Sequence, residues 1–307
     1  MKKIIFVLTL VAGIFAMYSC SNQDGSTLSD TSSPTIQTQE KELAELRTMI
    51  LVYNSEMPSS NVTKGKKWWK WLRWLFCGVA DAAGAAVGGV YGAVGTSALA
   101  GALVGSSDIG NVNGQSLAPR RAGLAGAQNG IVIDKTQYQA EFSDSIGYYH
   151  NVALAQLLAD TETYNKFCTT EGVEQMSFVD NAVETICGKS AVAGLSSSDK
   201  YAIYNKGKVI SQIAASSESL EDFIKGLKAE SGNLGLTIAE IDVLSAYFEG
   251  LSEVVLSDEN GVYMKDILKY TDQSNLSEDM KVKLGNVMIV ANASMKLWGN
   301  GVFAIDE

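Results

Sequence analysis

The chain is poor in the residues that most enzymes and metal proteins rely on: one histidine, three prolines and four cysteines in 307 positions. A single imidazole, His150, leaves no histidine cluster for a metal and one ordinary general base near neutrality. Three prolines put few breaks in the way of long helices. No phosphate loop, dinucleotide fingerprint or calcium loop occurs. Positive charge is also short, with 24 Lys and Arg against 34 Asp and Glu for a net −10. A chain this acidic is a poor general binder of nucleic acid, and no nucleic-acid partner is expected. What is present, 46 % apolar and 19 % charged residues, is ample for a folded core and excludes disorder throughout.

The N-terminus reads as an export signal. Lys2 and Lys3 precede an unbroken apolar run, Ile4 to Met17, too short to span a bilayer but of the length of a secretory apolar region. It ends in Met17-Tyr18-Ser19-Cys20, which resembles the lipobox of bacterial lipoproteins. The resemblance implies cleavage after residue 19, acyl chains on Cys20 and, because Ser21 rather than Asp follows, sorting to the outer membrane. Met17 and Tyr18 stand where that family prefers Leu and a small residue, so ordinary signal-peptidase cleavage nearby is the alternative. Residues 20–38, rich in Ser, Thr, Gln and Asp, hold too little apolar surface to order themselves and are read as a tether. Residues 39–53 then place Leu43, Leu46, Ile50 and Tyr53 at helical spacing.

Charge divides the rest. Residues 60–130 hold seven bases against Asp81 and Asp108, whereas residues 130–307 hold 13 bases against 26 acids. The division predicts a unit over 39–130, a short helix followed by a basic, glycine-rich segment, and an acidic domain over 131–307. In the acidic part, apolar faces at helical spacing include Ile146, Tyr149, Ala153, Leu154 and Leu157; Met176, Val179, Val183 and Ile186; Ile203, Ile210 and Ile213. Further faces run through Leu220, Phe223, Ile224 and Leu227, through Ile241, Leu244, Phe248 and Leu251, and through Met280, Leu284, Val287 and Ala291. Thr237 with Glu240 has capping-box spacing, and Ser219 and Ser277 are expected N-caps. Only Gly130 to Ile133 looks strand-like. The expected fold is all-α, a bundle of about six helices preceded by a glycine-rich hairpin or membrane-associated segment.

The basic segment gathers four of the five tryptophans. On a helix Trp68 and Trp71 share one side with Leu72 and Leu75, while Lys66, Lys67, Lys70 and Arg73 share the other; Trp69 and Trp74 complete the set. Lys66, Lys67, Trp68, Lys70, Trp71, Arg73 and Trp74 are the candidate membrane-interface residues, because indole rings favour the headgroup zone and each cation gains about 1 kcal/mol near anionic lipid. A Trp face docked on the acidic bundle is the competing reading. From Ala82 to Ser107 there is no charge at all. Small residues repeat every fourth position through Ala80, Gly84, Gly88 and Gly92, and again through Ser97, Gly101 and Gly105. Gly84, Gly88, Gly92, Gly101 and Gly105 are thus candidate helix-packing sites, either in one long helix or in two joined by a turn at Gly95-Thr96-Ser97. The run resembles the glycine zippers of outer-membrane lipoproteins and, with its Lys and Trp lead-in, the membrane-active part of unmodified bacteriocins. Helices so rich in glycine need a cover, since each Gly costs about 1 kcal/mol relative to Ala; lipid, a second copy or the protein's own bundle would each serve.

No catalytic set is evident. His150 falls on the same helical side as Ile146 and Leu154, which favours a core histidine. Cys77, Cys168, Cys187 and His150 lack the short ligand spacing of a zinc site, and no metal or cofactor is expected. Cys168 and Cys187 are a candidate disulfide in an oxidising compartment, contributing about 3 kcal/mol if closed. The function expected is that of a non-enzymatic lipoprotein of the cell envelope. Its partners are membrane lipid, through the Cys20 acyl chains and residues 64–107, and a second copy through the zipper. A bacteriocin-like effector that disrupts membranes is the alternative.

Overall fold

A computed structural model describes residues 36–57, 66–107, 146–159, 161–188, 194–254 and 260–297. The export signal, Cys20, residues 21–35 and the strand-like run near Ile131 lie outside the described residues. Among those described there are eleven helices and no strand, so the fold is all-α as the apolar periodicity predicts. In chain order they are α1 (Ile36–Glu56), α2 (Lys66–Ser107), α3 (Ile146–Ala159), α4 (Thr161–Thr169), α5 (Gly172–Cys187), α6 (Ser197–Ser216), α7 (Leu220–Ala229), α8 (Ser231–Leu234), α9 (Ile238–Val254), α10 (Asn260–Gln273) and α11 (Glu278–Leu297). The described residues of the acidic part therefore hold nine helices where about six were expected. Thr170 and Glu171 separate α4 from α5, which opens on Gly172 at φ +64°, and Asn260-Gly261, whose composition suggests a turn, instead opens α10.

The expected start signals operate. Thr237 Oγ1 accepts from the Glu240 N–H at 3.1 Å while the Glu240 carboxylate accepts from the Thr237 N–H at 2.6 Å, a reciprocal capping box at the start of α9. Ser219 Oγ accepts from the Asp222 N–H at the start of α7. Ser196 and Asp199 form a further box ahead of α6. Each such cap contributes about 1 kcal/mol.

The centre of the fold is α2, which is two arms meeting at Gly88 and Gly89. Gly88 (φ −159°, ψ 22°) is non-helical and Gly89 has φ +57°, a positive φ that glycine takes without steric cost. The turn considered at Gly95-Thr96-Ser97 is thus placed too late. Those three continue the second arm because their small side chains serve tertiary contacts instead. The arms approach closely enough that a Cβ on Gly84 would lie 2.6 Å from the Gly92 carbonyl oxygen and 2.7 Å from Thr96 Cβ. A Cβ on Gly207 of α6 would sit 2.8 Å from Thr96 Oγ1, and one on Gly88 would run into Ile203 of the same helix. Small residues on both partners let α6 lie directly on the hairpin.

The first arm of α2 also packs antiparallel to α11. Gly78 lies against Met295 and Ala291, Ser294 bonds Asp81, and Ala85 clusters with Val290. One continuous core joins Leu43, Leu46 and Ile50 of α1, Ala80, Val90 and Val94 of α2, Leu154 of α3, Ile210 of α6, Phe223 of α7, Phe248 of α9 and Met288 of α11. The charge boundary near residue 130 is consequently not a boundary in packing, since the glycine-rich arms occupy the middle of the helices that follow.

Helix α1 closes one side through an aromatic and amide knot. Tyr53 donates to Asp266 at 2.6 Å, Asn54 Nδ2 to the Ala246 carbonyl at 2.8 Å, and Tyr263 to both Asn54 Oδ1 and the Tyr247 carbonyl at 3.0 Å. At the other end of α1, Gln39 Nε2 donates to Ser277 Oγ at 3.0 Å, next to the start of α11.

Cys77, Cys168 and Cys187 are free thiols, so the candidate disulfide between Cys168 and Cys187 is not formed. Cys168 sits at the end of α4, just ahead of α5, and Cys187 is the last residue of α5. The length of α5, roughly 22 Å at the helical rise, lies between them, against a Cα separation of about 6 Å in a disulfide.

Two outcomes follow from this packing. Gly84→Ala and Gly92→Ala force backbone apart and are expected to destabilise by about 1–3 kcal/mol. Gly95→Ala, whose Cβ would meet Val179 at an ordinary 3.7 Å, should be neutral or stabilising by about 0.4–1 kcal/mol. Urea denaturation of the three variants checks the contrast. Reductant should leave Tm unchanged, and a thiol reagent on the native protein should label exposed Cys168 before buried Cys77.

Candidate functional site

The hairpin is apolar with one exception. Asp81 is the only charged residue between Arg73 and Asp108, and it is fully buried. An ionisable group costs several kcal/mol in such surroundings unless it is hydrogen-bonded. The fold supplies hydrogen bonds from two directions and sets an imidazole beside them on a third. Ser97 on the opposite arm donates to Asp81 Oδ2 at 2.8 Å, Ser294 of α11 donates to the same oxygen, and His150 Nε2 of α3 lies 3.6 Å from it. His150 Nδ1 is 2.9 Å from Asn151 Oδ1, and Asn151 Nδ2 donates to the Ala293 carbonyl at 2.8 Å. With the amide oriented by that last bond, Nδ1 carries the proton, and Nε2 is the bare nitrogen facing Asp81.

Serine, histidine and aspartate thus meet in one place, which invites comparison with a hydrolase triad. The geometry is not that of a nucleophile relay. Both serines donate to the carboxylate and neither hydroxyl is bonded to His150, whereas a triad needs the hydroxyl on the imidazole and the imidazole on the carboxylate. Asp81, Ser97, His150 and Ser294 are all 0 % exposed, so no substrate reaches them in this conformation. The arrangement joins both arms of α2 to α3 and α11. Thr96, also fully buried, lies against Gly84 and Gly207, and its carbonyl accepts from Ser211 of α6 at 3.1 Å.

Burial pushes the His150 imidazole from an ordinary 6.5 down to about 4, partly opposed by the bond to Asn151. Burial, helped by the nearby Asp81, also raises the Cys77 thiol well above its usual range. A thiol so protonated and enclosed is an inert core residue rather than a nucleophile.

The residues singled out from sequence fall into three groups. Gly84, Gly88 and Gly92 each make a close contact, but not along one helix face as their four-residue spacing implies: Gly88 stands in the bend, Gly84 and Gly92 face each other across the two arms, and the cover is the protein's own helices. Gly101 is buried in the second arm, and Gly105 lies on its last helical turns. Lys66, Lys67, Trp68, Lys70, Trp71, Arg73 and Trp74 occupy the helical start of α2, ahead of Cys77, where burial of the first arm is established. Cys20 is outside the described residues. Cys77–Leu103 is long and apolar enough to cross a membrane by length and composition, yet 72 % of its apolar window is buried in the bundle. Bent at Gly88-Gly89, neither arm of that stretch alone reaches the roughly 20 residues of a span.

Sequence reading passed over the Asp81 cluster. The available signal was a solitary acid within a long uncharged run; its partners come from positions up to 213 residues away and no local spacing reveals them. Among the described residues no group of His, Cys, Asp and Glu is arranged to hold a metal ion. No family model, curated protein or solved structure matches the chain.

The His150 environment sets a pH dependence. Because its folded pKa lies below the unfolded value, the unfolded chain binds the extra proton between pH 6.5 and 4. Stability from this group is complete above pH 6.5 and is lost as pH falls towards 4, by an amount on the order of 3 kcal/mol. Denaturation midpoints across that window should show the loss in the wild type. His150→Gln, which cannot titrate, should lack this contribution to the slope.

Proposed function

We propose that the protein is a non-enzymatic lipoprotein of the cell envelope that holds an acidic helical bundle at a membrane and touches anionic lipid through the basic Trp helix, Lys66 to Phe76. The observation that carries this reading is continuity. The helix bearing four tryptophans and Lys66, Lys67, Lys70 and Arg73 is the upstream end of α2, whose following turns are the most deeply buried in the fold. A basic aromatic segment fixed rigidly to a core helix is a firmer membrane contact than the same residues on a loop, because little conformational entropy is lost on docking. Cys20 supplies the second attachment, its acyl chains adding about 0.8 kcal/mol per buried methylene to the charge contact. In this reading the glycine-rich arms are the core of the bundle, and its acidic surface is the binding or scaffolding face.

Two measurements test it. Cells labelled with a fatty-acid probe should show label on the wild type and none on Cys20→Ala, with most of the variant released from tight membrane attachment; an unlabelled wild type removes the lipoprotein reading. Purified Cys20→Ala protein should sediment with phosphatidylglycerol-containing vesicles, and reversing Lys66, Lys67, Lys70 and Arg73 to Glu should weaken this at least about tenfold, given about 1 kcal/mol per cation. Rapid dye release from the same vesicles would favour the membrane-disrupting alternative, since it requires the buried arms to enter lipid.

A further inference from the structure

Tyr53, Tyr247, Tyr263 and Tyr270 gather where α1 meets α9 and α10. The Tyr53 ring lies 5.8 Å from that of Tyr263 and 5.9 Å from that of Tyr270, and Tyr263 stacks on Tyr247 at 5.5 Å with 18° between the planes. Such contacts are how aromatic cores pack. The phenols differ in what accepts their protons. Tyr247 donates to the Met288 carbonyl, and Tyr263 to Asn54 Oδ1 and the Tyr247 carbonyl, all at 3.0 Å. Amide oxygens accept a hydrogen bond but are too weakly basic to keep the proton. Tyr53 donates instead to a carboxylate oxygen, Asp266 Oδ2, at 2.6 Å, within the distance over which a positioned base takes a proton. Tyr247 and Tyr263 are buried, whereas Tyr53 and Asp266 are both partly exposed.

A carboxylate does not ionise a resting phenol, since the ordinary pKa values are about 4 for the acid and about 10 for the phenol. The order reverses once the ring loses an electron, because an oxidised phenol is a strong acid. Its proton then passes readily to a carboxylate already bonded to it, and removal of the proton is what makes loss of the electron feasible. Tyr53 has such a base in place; Tyr247 and Tyr263 are held against carbonyl oxygens.

We propose that, among the described tyrosines, Tyr53 is the preferred site of one-electron oxidation and radical modification, with Asp266 as the base that receives its proton. The reactant is a small oxidising radical such as nitrogen dioxide. One nitrogen dioxide takes an electron from the ring and becomes nitrite; the Oη–H bond breaks, the proton moves to Asp266 Oδ2, and a neutral phenoxyl radical remains. A second nitrogen dioxide bonds to the ring carbon next to the phenolic carbon, whose hydrogen leaves to water as a proton. Asp266, partly exposed, returns its own proton to solvent. One tyrosine and two nitrogen dioxide radicals thus give one nitrotyrosine, one nitrite and one proton. An electron vacancy formed first on Tyr263, still holding its proton, is filled from the Tyr53 ring in contact with it.

Nitration mapping of the purified full-length protein tests this. Radiolytically generated nitrogen dioxide is applied at neutral pH to low conversion, and modified positions are quantified by mass spectrometry. Exposure alone favours Tyr201, which is 45 % exposed and has water, a far weaker base than carboxylate, around it. Nitration of Tyr53 ahead of Tyr201 is expected. Asp266→Asn keeps an acceptor for the hydrogen bond but no base, and should lower nitration of Tyr53 relative to Tyr201 at least about tenfold. Asp266→Glu, which retains a carboxylate, should leave Tyr53 in the lead. The proposal is overturned if Tyr201 leads in the wild type, or if the ratio of Tyr53 to Tyr201 is unchanged in folded Asp266→Asn protein. Should that variant fail to fold, the wild-type comparison decides by itself.

Discussion

The close backbone approach of Gly84 to Gly92 is the constraint on which the rest of the fold depends. Two helices joined by a two-residue bend diverge unless the facing positions lack side chains, and here the first arm, the second arm and α6 converge where Gly92 leaves room for the Gly84 backbone and Gly84 and Gly207 leave room for Thr96. That convergence brings the arms within reach of α3 and α11 as well. Glycine lowers intrinsic helix stability, and the penalty is offset by packing: the arms are helical because α3, α5, α6 and α11 enclose them. A composition that resembles a membrane span is, in this structure, the composition of a hairpin at the centre of a helical protein.

Burying a hairpin of alanine and glycine gives little lateral specificity, since such surfaces slide past one another with small changes in contact area. Asp81 removes that freedom. Its bonds to Ser97 and Ser294 and its proximity to His150 are satisfied in one register of the two arms relative to α3 and α11. Buried polar groups often contribute less to stability than apolar replacements would, and their attested use is in fixing register. The same enclosure accounts for the depressed imidazole and the raised Cys77 thiol, so the perturbed groups gathered at one place share burial as their leading cause.

Helix α1 connects this interior to the proposed anchoring end. Its apolar stripe, Leu43, Leu46 and Ile50, enters the common core, while Tyr53 and Asn54 bind α9 and α10 at one end and Gln39 binds the head of α11 at the other. A load on the N-terminal connection would thus pass into the bundle along α1 rather than into the hairpin. The basic Trp helix is continuous with the first buried arm of α2.

Local patterns in the sequence were enough for the helical class, for most apolar faces and for the caps at Ser219, Thr237 and Ser277, because these depend on residues three or four positions apart. That the small residues at Gly84 and Gly92 make a packing surface was likewise legible, although the bend at Gly88-Gly89 sets them against each other across the arms rather than along one helix face. What covers that surface was not legible, since lipid, a second copy and the chain's own helices all present apolar atoms to a small-residue groove. The turn was misplaced because Gly95-Thr96-Ser97 and Gly88-Gly89 are equally turn-like in composition, and only the contacts of Thr96 with α6 and of Ser97 with Asp81 decide between them. Cys168 and Cys187 looked like partners by their separation in sequence, yet a straight helix holds them apart. Asp81 found its bonds on helices far along the chain. The sequence by itself determined what depends on neighbours within a turn; which faces meet, and in which register, was decided by steric fit and by the cost of burying a carboxyl group without hydrogen bonds.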